Sequence, residues 1–154
     1  MPIEVGAPAP AFNLPATGGA PITLDGFAGR KLVLYFYPKD DTSGCTKEAQ
    51  EFSALKPDFI AAGTEIVGVS ADGVKSHERF KEKYSLDLTL ASDEEKAMLE
   101  AYGVWVEKSM YGRKYMGIER TTVLIGTDGR VARIWSKVKV PGHAKEVLDA
   151  ARAI

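Results

Sequence analysis

The sequence of 154 residues contains one cysteine and two histidines. One cysteine excludes a disulfide within the chain and a zinc site built from several thiolates. His77 and His143 are far apart in the sequence and do not form a metal-binding pair, so we assign both a structural role. We therefore predict that the protein holds no metal and no cofactor.

The chain also lacks a strong net charge and a long apolar run. It has 20 Lys and Arg against 21 Asp and Glu, a net charge of -1, with the two signs interspersed. No basic stripe predicts nucleic-acid binding, and no acidic tail predicts a charge-driven partner. The amino terminus does not have the pattern of a secretory signal, and no segment has the length of a membrane span. We therefore expect a cytoplasmic protein that binds neither nucleic acid nor a membrane.

The one cysteine follows an apolar segment and a short polar loop. Residues 32–37 are aliphatic and aromatic, which predicts a buried strand that Pro38 ends. The loop 40–44 reads Asp-Asp-Thr-Ser-Gly, and these residue types favour a helix start. Apolar residues then recur at helical spacing, at Cys45, Ala49 and Phe52. This pattern predicts that Cys45 lies in the first turn of a helix, on its inward face.

A cysteine at that position has two interpretations. It is either a small buried apolar residue or a reactive thiolate. A free thiol has a pKa of about 8.5, so a thiolate at neutral pH needs about 2 kcal/mol of stabilisation. A helix amino terminus usually supplies about 0.3 to 1 kcal/mol. A reactive Cys45 therefore needs a nearby cation as well, most simply an arginine from elsewhere in the chain.

The rest of the chain predicts alternating strands and helices. Residues 1–10 are rich in proline and alanine and are expected to form an extended arm that lies on the domain. An amino-terminal β-hairpin is expected from residues 11–14 and 22–24. Pro57 is expected to kink or divide the helix after Cys45, whose inward face continues to Ile60. Further segments are predicted as strands at 65–70, 88–91, 121–126 and 130–135, as two β-like pieces within 103–118, and as helices at 74–84, 94–102 and after 143. This order indicates one mixed α/β domain over residues 1–154.

Residues 38–49 resemble the active-site signature of the peroxiredoxins. In that signature a proline, three residues, a threonine, two residues and a cysteine have fixed spacing, here Pro38, Thr42 and Cys45. Among the peroxiredoxins, the chain looks most like the peroxiredoxin Q group, also called bacterioferritin comigratory protein. Weaker matches extend the resemblance over nearly the whole chain, at residues 5–12, 68–70, 76–77 and 117–125.

The resemblance implies a fold and an activity. The fold is thioredoxin-like, with a central mixed sheet flanked by helices and an added amino-terminal β-hairpin. The activity is that of a thiol-dependent peroxidase, in which the Cys45 thiolate attacks hydrogen peroxide or an organic hydroperoxide and becomes a sulfenic acid.

The resemblance also implies roles for four further residues. Thr42 would offer its hydroxyl to the peroxide and the sulfur, Arg120 would be the required cation, Pro38 would shield the thiolate, and Glu48 would orient the arginine. Each residue has a plainer interpretation: Thr42 as a helix N-cap, Pro38 as a strand terminator, Arg120 as a surface charge and Glu48 as a solvated helix residue. Residues 39–41 are interpreted as a solvated loop.

The chain departs from the peroxiredoxin Q pattern in two ways. Many members have a second, resolving cysteine five residues after the first, where this chain has Gln50, or in the next helix, near Phe80 and Lys81 here. Ser43 replaces the usual proline. The resemblance therefore implies a one-cysteine cycle that is completed by an external thiol: thioredoxin, glutaredoxin with glutathione, or a small thiol. The protein would be a monomer or a homodimer.

Two other functions fit the same residues. In a thiol-based redox sensor or stress chaperone, oxidation of Cys45 would change a partner interface instead of disposing of peroxide. In a thioredoxin-like binding module, Cys45 would be inert. Turnover separates the peroxidase from the sensor, and the reaction rate of Cys45 with peroxide separates both from the binding module.

Overall fold

The computed structural model describes residues 3–154, so the first two residues of the extended arm predicted for 1–10 lie outside the described part. Two short strands, β1 (Asn13–Leu14) and β2 (Ile22–Thr23), form the predicted amino-terminal hairpin. The other elements are β3 (Lys31–Phe36), α1 (Ser43–Ala61), β4 (Thr64–Ser70), α2 (Val74–Tyr84), β5 (Thr89–Ser92), α3 (Ala97–Ala101), β6 (Trp105–Met110), β7 (Arg113–Ile118), β8 (Thr121–Ile125), β9 (Val131–Trp135) and α4 (His143–Arg152).

The central sheet has five strands in the order β5-β4-β3-β8-β9. β4 pairs in parallel with β3 and β5, whereas β8 pairs antiparallel with β3 and β9. β6 and β7 form a separate antiparallel hairpin. The mixed α/β fold predicted from the sequence is therefore confirmed.

Both faces of β3 are buried, which explains why its sequence is almost continuously apolar. Val33, Tyr35 and Tyr37 face a cluster that includes residues of α1 and α4. The alternate residues of β3 face a second cluster, to which α3 and the amino-terminal hairpin contribute. β3 is therefore the fixed base from which the loop to Cys45 leaves the sheet.

Helix α1 is a single helix of 19 residues that contains Pro57, so the predicted division into two segments is not adopted. Its buried face includes Cys45, Ala49, Phe52 and Phe59. Ile60 was expected on the same face, and this expectation is wrong because its side chain is 47% exposed. Successive helix residues are rotated by about 100°, so Ile60 turns to solvent when Phe59 points inward.

The helix predicted for residues 94–102 is shorter than expected, Ala97–Ala101. Lys96 has a positive φ of 65°, which is incompatible with continuing the helix towards the amino terminus. The Asp93 carboxylate accepts a hydrogen bond of 2.8 Å from the backbone N–H of Leu99. Asp93 thereby satisfies a helix donor that a longer helix would have paired internally.

No helix among residues 3–154 combines the length and the apolar character needed to cross a membrane.

Candidate active site

Cys45 lies in the first turn of α1, as predicted, and is 1% exposed. The first bond of the helix runs from the N–H of Thr46 to the carbonyl of Thr42, at 2.8 Å. The N–H groups of Gly44 and Cys45 precede that bond and have no acceptor within the helix. Because free N–H groups and the helix dipole both favour negative charge, the local backbone stabilises a thiolate at this position.

The predicted cation is present at the sulfur. In the register of β3 with β8, Thr121 lies opposite Phe36, the last residue of β3. Arg120 immediately precedes Thr121 and is therefore beside the loop that leads to Cys45. Its Nη2 donates a hydrogen bond of 3.3 Å to the Cys45 Sγ. A Cβ atom on Gly44 would lie only 3.2 Å from the same Nη2, so glycine leaves the guanidinium room to reach the sulfur.

Glu48 holds the other side of the guanidinium. Its Oε1 accepts a hydrogen bond of 2.6 Å from Nη1 of Arg120. The side chains of Glu48 and Arg120 are 1% and 17% exposed, respectively. Glu48 is therefore a buried partner of Arg120 and not a solvated helix residue. The guanidinium is shared between a carboxylate and a sulfur, so its position is fixed on two sides.

Burial opposes ionisation at both ends of this pair, but the outcomes differ. Burial disfavours the guanidinium, but the Glu48 carboxylate and the Cys45 sulfur together raise the pKa of Arg120. Burial raises the pKa of Glu48 from 4.5 to about 7, although Arg120 pulls it down. The difference has a structural cause, because Oε2 of Glu48 is buried and has no hydrogen-bond partner among the described residues.

This pKa predicts that protonation of Glu48 makes the folded protein more stable at acid pH than at neutral pH. The carboxyl group binds its proton more tightly in the folded state, with a pKa of about 7, than in the unfolded chain. The stabilisation that this proton binding adds to the free energy of unfolding is therefore complete below about pH 4.5. It is lost as the pH rises through 7, which lowers the free energy of unfolding by about 3 kcal/mol. In Glu48→Gln we expect this pH dependence to be absent when urea unfolding is measured at pH 5 and pH 8.

Glu82 is an exposed glutamate on α2 and supplies the matched control. Glu82→Gln should keep the pH dependence of the unmodified protein. If Glu48→Gln also keeps it, the carboxyl group of Glu48 does not take up a proton on folding in this range.

Thr42 and Pro38 are the two predicted site residues that precede Cys45 in the sequence. Thr42 is the N-cap residue of α1, but its side chain makes no capping bond. Its hydroxyl instead donates to the backbone carbonyl of Lys39 at 2.9 Å, and within residues 3–154 it has no hydrogen bond to Cys45. Pro38 is half-buried, two residues after the end of β3. The catalytic roles of both residues stay predictions.

The sequence predicted that residues 39–41, in the loop before Cys45, are solvated. This prediction is wrong for Asp40. Asp40 is buried, with a side chain that is 4% exposed. One of its oxygens accepts from the Tyr37 hydroxyl at 2.6 Å, and the other accepts from Ser76 Oγ at 2.8 Å and contacts His77 Nδ1 at 2.7 Å. The sequence could not reveal this because Ser76 and His77 belong to α2, more than 30 residues away.

Asp40, Asp72 and His77 bring three possible metal ligands within 4.8 Å of one another. The arrangement is explained by hydrogen bonds between them. Oδ2 of Asp72 accepts from the backbone N–H of Asp40 at 2.8 Å and from the Ser70 hydroxyl at 2.7 Å. His77 is fully buried and its Nε2 faces the carbonyl of Ala91 at 3.0 Å, which agrees with a structural role.

A strand, a loop and a helix thus present a buried cysteine to a guanidinium. The chain is also similar to known proteins. Residues 5–134 match the AhpC/TSA family. Peroxiredoxin Bcp of Xanthomonas campestris is 49% identical over 95% of this chain and 92% of its own, and peroxiredoxin Bcp of Bacillus subtilis is 44% identical over 97% and 95%. The chain belongs to the AhpC/TSA family. It is a peroxiredoxin, a thiol-dependent peroxidase.

A solved structure supports the same assignment. The bacterioferritin comigratory protein of Xanthomonas campestris, solved as a trapped intermediate and ligand complex to study alkyl peroxide reduction, superimposes with a TM-score of 0.91. The two chains are 45% identical, and the match covers 97% of this peroxiredoxin and 98% of the other chain. The thioredoxin-like peroxiredoxin fold implied by residues 38–49 is therefore confirmed.

Proposed function

We propose that Cys45 is the peroxide-reducing nucleophile of this peroxiredoxin. The observation that carries the proposal is the 3.3 Å hydrogen bond from Arg120 to the Cys45 Sγ at a helix amino terminus. The thiolate attacks one oxygen of the O–O bond, which breaks. The sulfur keeps that oxygen as a sulfenic acid, and the other oxygen takes up a proton and leaves as water or an alcohol.

The surrounding groups act on the charge that moves from sulfur to oxygen. The Arg120 guanidinium and the N–H groups of Gly44 and Cys45 are donors fixed before the reaction, and such donors stabilise developing negative charge efficiently. Thr42 already donates its hydroxyl hydrogen to Lys39, so we assign its oxygen as the acceptor for the peroxide O–H. Pro38 shields the sulfur from water, and Glu48 positions Arg120.

The substrates are hydrogen peroxide and organic hydroperoxides. The alkyl peroxide reduction studied in the Xanthomonas campestris relative supports the second class.

The sulfenic acid is reduced by an external thiol, because Cys45 is the one cysteine of the sequence. The thiol sulfur displaces water to give a mixed disulfide, and a second thiol then releases Cys45. The reductant is thioredoxin, glutaredoxin with glutathione, or a small thiol, and the enzyme acts as a monomer or homodimer. A cycle that consumes thiols fits the cytoplasm, where thiols are kept reduced.

Stoichiometry tests this function. With excess hydrogen peroxide and thioredoxin, thioredoxin reductase and NADPH, we expect many equivalents of peroxide to be consumed per protein, and mass spectrometry should detect a mixed disulfide on Cys45. Parallel reactions with glutathione and glutaredoxin, or with dithiothreitol, identify the preferred thiol. Consumption of one equivalent without turnover in all three would instead support a redox sensor. An ordinary, slow thiol reaction would support an inert cysteine.

A further inference from the structure

One guanidinium in the structure serves two acidic groups. Nη1 of Arg120 donates a hydrogen bond of 2.6 Å to the Glu48 carboxyl group, and Nη2 donates one of 3.3 Å to the Cys45 Sγ. Cys45 and the Glu48 side chain are each 1% exposed, so water stabilises neither charge. If both groups were ionised, two negative charges would face one positive charge in a buried site, which is costly. Ionisation of one acid therefore opposes ionisation of the other.

The Glu48 carboxyl group shows this cost directly. Its Oε2 atom is buried and has no hydrogen-bond partner among the described residues. An ionised carboxylate spreads its charge over both oxygens, so a buried oxygen without a donor disfavours the ionised form. Burial raises the pKa of Glu48 to about 7, against the opposing effect of Arg120. The carboxyl group therefore exchanges its proton close to the pH range in which a thiol titrates.

The other ionisable side chains around the two acids do not replace Arg120 as their shared partner. These side chains are Glu51 of α1, Tyr35 of β3, Lys108 of β6, Glu119, and His143 of α4. Tyr35 and His143 are neutral at pH 7, because burial raises the pKa of Tyr35 and lowers the pKa of His143 to about 4. Glu51 adds to the negative charge that Glu48 faces. Lys108 and Glu119 carry opposite charges, and within residues 3–154 the cation that hydrogen-bonds to both acids is Arg120.

We propose that Cys45 and Glu48 share one proton across Arg120, so that Glu48 is protonated when Cys45 is a thiolate and ionised when Cys45 is a thiol. The inference rests on the proposed peroxidase function and extends the role of Glu48 beyond positioning Arg120. In the thiolate form, the neutral carboxyl group leaves the charge of the guanidinium to the sulfur. In the thiol form, the carboxylate takes that charge, and the sulfur keeps its proton.

The shared proton also balances the charge of the peroxide reaction. The thiolate attacks one peroxide oxygen, an S–O bond forms and the O–O bond breaks. The leaving oxygen takes up a proton from solvent and departs as water or an alcohol. Because the sulfenic acid is neutral, the sulfur no longer competes for Arg120, and Glu48 releases its proton to solvent. The negative charge thus passes from Cys45 to Glu48, and the buried site keeps one negative and one positive charge.

Glu48→Gln tests the shared proton, because glutamine keeps an oxygen that accepts from Nη1 but cannot ionise. The thiolate of the reduced protein is titrated by its ultraviolet absorbance. In the unmodified protein we expect two steps, since the first proton comes from either acid. In Glu48→Gln we expect one step, with a midpoint lower by about one pH unit, the size of interaction at which two titrations become coupled. Glu82→Gln, on the exposed face of α2, is the matched control and should titrate like the unmodified protein.

The effect must also appear in the opposite direction, because coupling between two sites is reciprocal. Cys45→Ser removes the competing acid and should lower the pKa of Glu48 by the same amount. The titration is followed by carboxyl ¹³C NMR in Cys45→Ser and in the unmodified reduced protein. This measurement leaves Glu48 in place, so it decides the inference even if Glu48→Gln does not fold.

The pH profile of peroxide attack gives a third readout, measured by stopped flow on the reduced proteins. Glu48→Gln should react severalfold faster than the unmodified protein at pH 8, in proportion to its larger thiolate fraction. A Glu48 that only positioned Arg120 predicts the reverse, a slower reaction and a thiolate midpoint at higher pH.

A midpoint in Glu48→Gln that is equal to or above that of the unmodified protein overturns the inference. An unchanged pKa of Glu48 in Cys45→Ser also overturns it. Both titrations are made without peroxide, so they test the shared proton independently of turnover. Absence of turnover in the unmodified protein would instead contradict the proposed function.

Discussion

Arg120→Ala is expected to slow the reaction of Cys45 with hydrogen peroxide by about 100- to 1,000-fold, the usual cost of removing one fixed donor from a site of developing negative charge. The guanidinium is the only side chain among residues 3–154 that donates a hydrogen bond to the Cys45 sulfur, at 3.3 Å. The rate constant should be measured by stopped flow on the fully reduced protein, with Cys45→Ser as the unreactive blank. The rate constant of Arg120→Lys should fall between those of the unmodified protein and Arg120→Ala. A lysine keeps the positive charge but cannot bind Glu48 and Cys45 with the geometry of a guanidinium.

Stability must be separated from catalysis in this experiment. Arg120→Ala removes the partner of Glu48, and breaking a buried ion pair costs about 3 to 5 kcal/mol. The double variant Arg120→Ala/Glu48→Gln removes the buried carboxylate as well, so it should recover stability in urea unfolding but not the peroxide rate. If the double variant also recovers the rate, Arg120 acts by supporting the fold and not by stabilising the transition state.

The strand, the loop and the helix that present Cys45 were predictable because each depends on local sequence. The apolar run of β3 and the spacing of Cys45, Ala49 and Phe52 report burial directly. The need for a cation was also predictable, because the helix terminus alone supplies too little stabilisation for a thiolate. Choosing Arg120 required the resemblance to a family, since residues 75 positions apart show no periodic relationship.

The contacts between α2 and the loop could not be predicted in this way. Asp40 has the sequence context of a surface loop residue, and it is buried because α2 packs over it with Ser76 and His77. Glu48 shows the same limitation. The resemblance implied that Glu48 orients the arginine, but the raised pKa of Glu48 depends on how completely the tertiary structure excludes water.

Phe52→Ala is expected to destabilise the protein by about 3 to 5 kcal/mol, the usual cost of emptying a buried aromatic site. Phe52 is fully buried on the same face of α1 as Cys45, and its ring stacks on Tyr35 of β3 with centroids 4.7 Å apart. In a domain of this size such a loss lowers the melting temperature by about 10 °C. Calorimetry or thermal unfolding followed by circular dichroism measures the change.

The same substitution should slow peroxide attack at 25 °C by about tenfold, because small displacements of a reacting group are costly and Phe52 fixes α1 against the sheet that carries Arg120. Ile60→Ala is the matched control on the same helix. Its side chain is 47% exposed, so it should cost less than about 1 kcal/mol and leave the rate unchanged. A loss of stability in Phe52→Ala without any loss of rate would mean that the first turn of α1 is positioned by its own contacts with Arg120 and α2, independently of the packing beneath the helix.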